Sequence, residues 1–88
     1  MIKIWGKLYK EDKIVKNYVF CLDENMDYSR FFEFTSEIAS NLDIPTPVVI
    51  KTHIFNYAKY NYVKFTKDDF VEEFPFDKFI LENIANKT

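Results

Sequence analysis

Apolar and polar positions along this chain follow one helical period and several alternating ones. Between Asp27 and Leu42, the residues Tyr28, Phe31, Phe32, Thr35, Ile38, Ala39 and Leu42 fall on one stripe at about 100° per residue. Ser29, Arg30, Glu33, Ser36, Glu37, Ser40 and Asn41 cover the opposite side, and Phe34 lies at the margin. The spacing predicts one long amphipathic helix that must bury its stripe against another layer. From Ile2 to Tyr9 the period is two. Ile2, Ile4, Gly6 and Leu8 share one face, and Lys3, Trp5, Lys7 and Tyr9 the other. Ile14 to Leu22 is rich in β-branched and aromatic residues and reads as a second strand. The polar run Lys10–Lys13 between them predicts an antiparallel hairpin with a loop of three to five residues. Gly6, inside the first strand, predicts a bulge or a close approach by the crossing helix.

Local signals set the remaining boundaries. Asp27 fits a helix N-cap, with Met26 and Phe31 at the spacing of a hydrophobic staple. Pro45 and Pro47 end the helix, because each disfavours helical backbone in the residue before it. Thr46-Pro47 could also open a second helix, but Val48-Val49-Ile50 is β-branched. The reading is a short extended piece over Val48–Ile50 and a short helix from about Thr52 to Lys59. Strands are expected at Tyr62–Phe65 and Phe79–Ile84, with an extended stretch at Phe70–Glu73. Thr66 and Asp69 stand at capping-box spacing, and Asn86–Thr88 is expected to fray.

Length and charge narrow the picture. Eighty-eight residues make one α+β domain, residues 1–88: an N-terminal antiparallel hairpin, the long helix on a small, mostly antiparallel sheet, and a short second helix. Twelve basic and fourteen acidic residues leave a net charge of −2, so global electrostatics favour neither nucleic acid nor an anionic membrane. The charge is segregated, with net +3 over residues 1–22, −5 over 23–47, +4 over 48–67 and −4 over 68–88. Either the fold has a basic and an acidic surface, or neighbouring blocks neutralise each other. Cys21 is the sole cysteine, which excludes an intramolecular disulfide and fits a cytoplasmic protein. No run approaches a membrane span or a signal peptide.

Candidate chemistry is sparse, and no catalytic, cofactor-binding or metal-binding residues are assigned. His53 has no nucleophile or second histidine at a recognisable spacing and reads as structural. Asp68, Asp69, Glu72 and Glu73 offer oxygen ligands, but without a glycine or EF-hand spacing they read as a solvated turn. Cys21 reads as core. A single glycine excludes a phosphate-cradling loop. Seventeen of the residues are aromatic, more than one small core needs. Lys3, Trp5, Lys7 and Tyr9 would share the sheet face away from the helix. Lys16, Tyr18 and Phe20 lie beside them in one register, and Asn17, Val19 and Cys21 in the other. A second Lys/Tyr-rich stretch contains Tyr57, Lys59, Tyr60, Tyr62 and Lys64.

The candidate interaction face is therefore Lys3, Trp5, Lys7, Tyr9 and Tyr18. It suits a protein partner or a second copy in a homodimer. Single-stranded nucleic acid, stacked on aromatics between lysines, is the alternative. Trp5-Gly6-Lys7-Leu8-Tyr9-Lys10, Leu42-Asp43-Ile44-Pro45, Phe65-Thr66-Lys67-Asp68-Asp69-Phe70-Val71-Glu72 and Phe76-Asp77 together resemble a group of short uncharacterised bacterial proteins. That resemblance implies a stand-alone cytoplasmic protein and carries over no site residues. The sequence thus leads to a non-catalytic interaction or accessory module.

Overall fold

Each element forms where local chemistry and burial agree. A computed structural model describes residues 1–85, so the expected fraying of Asn86–Thr88 lies outside the described residues. Four strands, β1 (Ile2–Lys10), β2 (Lys13–Leu22), β3 (Tyr62–Phe65) and β4 (Lys78–Asn83), make one antiparallel sheet in the order β2-β1-β4-β3. Helices α1 (Phe31–Asn41) and α2 (Lys51–Tyr60) complete the α+β fold.

The β1–β2 connection is shorter than expected. Its loop is the pair Glu11–Asp12, and both residues have positive φ, 53° and 65°. That is the type I′ geometry whose twist matches the flanking strands. The Glu11 N–H donates to Asp77 Oδ2 at 2.6 Å, anchoring a turn that lacks the usual Asn-Gly. Three residues after Asp12, Val15 is inserted as a bulge, since Tyr9 pairs with Ile14 but Leu8 with Lys16.

The helical region is shorter than expected and turned about its axis. Tyr28–Arg30 is a 3-10 turn, with the Asp27 carboxylate accepting the Ser29 N–H at 3.0 Å, and the α-helix starts only at Phe31. The Ser29 hydroxyl and amide hold the Asp27 carboxyl below its ordinary range. Without Tyr28 in the α-helical wheel the buried stripe becomes Phe31, Phe34, Thr35, Ile38, Ala39 and Leu42. Phe34 is 1% exposed, whereas Phe32, expected inside, is 55% exposed. Asp43 closes α1 in the left-handed region (φ 59°), and the Ile44 N–H donates back to Ala39 O at 3.0 Å.

The core lies between the helices and one sheet face. Ile2, Ile4, Leu8, Val63, Phe65, Phe79 and Leu81 meet Phe31, Phe34, Ile38 and Tyr57 there. Of the two roles expected for Gly6, a bulge or a close approach, the close approach is present, because a Cβ at this position would overlap Ile38 Cγ2. Val48–Ile50 and Phe70–Glu73 form no strands. In the second of these, Phe70 turns inward and stacks on Phe74, centroids 4.0 Å apart, so ring packing takes the place of a ladder.

Candidate interaction surface

Helices cover one face of the sheet, and the residues that alternate with the core line the other. β1 contributes Lys3, Trp5, Lys7 and Tyr9. Their register partners are Cys21, Val19, Asn17 and Ile14 on β2. On β4, Trp5, Lys7 and Tyr9 pair with Glu82, Ile80 and Lys78, and β3 sets Tyr62 and Lys64 against Glu82 and Ile80. Four of the five residues expected on this face are therefore brought together.

Tyr18 is the exception. It pairs with Gly6 and lies on the helix side. The bulge at Val15 is the cause. Continued without a bulge, the turn register would set Tyr18 beside Trp5, and one inserted residue moves every later side chain of β2 to the opposite face. The same shift puts Cys21 on the open face, where its thiol is exposed rather than in the core.

Polar contacts fix the centre of this face. Lys7 is only 7% exposed, with Nζ 2.8 Å from Glu82 Oε1 and 4.4 Å from the centre of the Trp5 ring. The Trp5 Nε1–H donates to Asn17 Oδ1 at 3.2 Å. Lys78 lies over the Tyr9 ring at 4.7 Å. The Trp5 ring is thus held, half-buried, by one cation and one amide. Around it Ile14, Val19 and Tyr62 are exposed. Lys3, Lys7, Lys64 and Lys78 outnumber Glu82, giving the face a basic surplus. The outer side of α1 is acidic at Glu33 and Glu37.

Of the second Lys/Tyr stretch, only Tyr62 and Lys64 join this face. Tyr57 is buried on α2 against Phe31, and Lys59 and Tyr60 belong to the last turn of α2. Lys78, Ile80 and Glu82 carried no sequence signal, since nothing local says that β4 lies beside β1. Two shallow clefts of about 280 and 390 Å³ flank Tyr60 and Tyr62, the second reaching Glu82, the register partner of Trp5.

His53 and Asp69 serve the backbone. The Ile50 N–H donates to His53 Nδ1 at 3.0 Å, capping α2, which requires the tautomer with its proton on Nε2. That nitrogen lies 3.4 Å from Asp69 Oδ1, while Asp69 Oδ2 accepts the Thr66 N–H at 2.8 Å. The pair ties the start of α2 to the turn after β3, and both imidazole nitrogens are engaged. Among the described residues, no helix is long and apolar enough to cross a membrane. Scans against protein-family models, curated proteins and solved structures find no match to this chain.

Proposed function

We propose that this chain is a non-catalytic protein-interaction or accessory module of the cytoplasm, and that it presents the open face of its sheet to a protein partner. The observation that carries this reading is a sheet with both helices on one side. Trp5, Tyr9, Ile14, Val19 and Tyr62 are left on the other, together with Lys3, Lys64 and Lys78. A pinned aromatic among apolar neighbours is how protein contacts concentrate their binding energy. The surplus of lysine favours an acidic partner surface.

Nucleic acid is less well served. Lys7 already neutralises Glu82, and the Trp5 ring lies over that same lysine instead of standing free to stack.

Affinity capture with wild-type and Trp5→Glu baits tests the proposal. The partner should be retained by the wild type and bind the variant at least ~10-fold more weakly, as loss of a central aromatic does. Single-stranded oligonucleotides should leave Trp5 fluorescence unchanged. Quenching that fades with added salt would overturn the protein reading in favour of nucleic acid.

A further inference from the structure

The outer edge of β2 carries a separate inference, independent of what occupies the open face. Among the described residues no strand pairs with this side of β2, so a row of backbone N–H and C=O groups faces outward. Proteins blunt such edges with lysines, prolines and bulges. β2 has these devices only in its first half, as Lys13, the bulge at Val15, and Lys16. Its second half, Asn17-Tyr18-Val19-Phe20-Cys21-Leu22, has no charge, no proline, no glycine and no bulge. Six uncharged residues around the β-favouring Tyr18-Val19-Phe20, on an open edge, are a template for a further strand.

The strand that fits best is β2 itself. β2 begins basic, at Lys13 and Lys16, and leads directly into the acidic pair Asp23 and Glu24. Two copies laid antiparallel bring the basic start of each against the acidic exit of the other, twice over. Parallel pairing would set like charges side by side. We propose that β2 pairs antiparallel with β2 of a second copy of this chain, joining two four-stranded sheets into one of eight.

Residues that face each other across a ladder share a face, so the helix-side residues of one copy must meet those of the other. An axis near Val19 satisfies this. It places Tyr18 of each copy opposite Phe20 of the other and Lys16 opposite Leu22, next to Asp23. A cleft of about 190 Å³ lined by Phe20, Leu22, Arg30, Glu33, Phe34 and Glu37 then lies along the seam. Face-to-face self-association through Trp5 is disfavoured by comparison, since it would oppose two basic surfaces.

Sedimentation equilibrium of the full chain, with charge-swapped variants, tests this. The wild type should dimerise reversibly. Lys13→Glu/Lys16→Glu should weaken the dimer by roughly tenfold or more through like-charge repulsion, and so should Asp23→Lys/Glu24→Lys. An equimolar mixture of the two variants should restore dimerisation as a heterodimer, which a folding defect in either could not do. Trp5→Glu should leave the dimer intact, so failure here is distinct from failure of the open-face reading. Nitroxides on Cys21 should report a short separation, because the two Cys21 Cα atoms would lie about 14 Å apart. A monomer at every concentration would overturn the proposal. So would a dimer indifferent to the strand-end charges, a mixture that stays monomeric, or a dimer lost with Trp5→Glu.

Discussion

Tyr57 is the residue at which burial and polarity conflict most openly. Its side chain is 1% exposed and its hydroxyl finds no hydrogen-bond partner among the described residues. Burial pushes the phenol well above its ordinary value of 10.0, with the nearby Tyr28 and Glu82 adding to the effect. A buried donor without an acceptor carries a desolvation cost, so Tyr57→Phe should stabilise the fold by about 1 kcal/mol in a urea melt at neutral pH. The sign of the pH dependence follows from the same burial. Above pH about 10 the unfolded phenol releases a proton that the folded one keeps, so wild-type stability falls as pH rises through that range. The advantage of Tyr57→Phe should widen there, and an unchanging difference would show that the hydroxyl is solvated. Gly6 is the opposite case. A lone glycine inside an alternating strand pointed to a bulge or a close approach, and the close approach is the one present.

Among the elements, α1 and β2 show which parts of the pattern could be read. The existence of α1 was legible, but Asp27 holds the 3-10 turn ahead of α1 instead of capping it, and the helix closes at Asp43, before either proline. Its angular phase was not legible, because a 3-10 turn and an α-turn both satisfy Asp27 and only the α-turn keeps Tyr28 on the stripe. Positions common to both phases remain secure. Ile38 is fully buried and Glu37 exposed. Ile38→Ala should therefore cost ~2–5 kcal/mol, and Glu37→Ala under ~0.5 kcal/mol, in parallel denaturant melts. Similar losses would mean that the helix is rotated from the position described. β2 was recognisable as a strand, but its facing was hidden. The bulge at Val15 carries no glycine and the tight turn no Asn-Gly, so composition gave no hint of the inserted residue that moved Tyr18 inward and Val19 and Cys21 outward.

The whole molecule is a sheet with its ends in its middle. β1 and β4 are the inner strands, each paired on both sides, and β2 and β3 are the edges. Strand order of this kind depends on contacts far apart in sequence, which is why a hairpin could be foreseen and the place of β4 could not. The open face was half legible for the same reason, its β1 residues from alternation and its β4 residues not at all. Amide exchange should reflect this order. In dilute solution Ile4 to Leu8 and Phe79 to Leu81 should exchange slowest, near the rate of global unfolding, and Val71–Glu73 much faster. Equal protection throughout would contradict the arrangement. The central position of β1 also has a consequence during synthesis. The β1–β2 hairpin leaves the ribosome long before β4 exists, with one side of β1 unpaired and Ile2, Ile4 and Leu8 bare. Everything from the α1 turn to Asp77 must be made before that side can close. In that interval the nascent hairpin is open to capture by a neighbouring chain, so slowing the synthesis of β4 should raise the share of protein lost to aggregation.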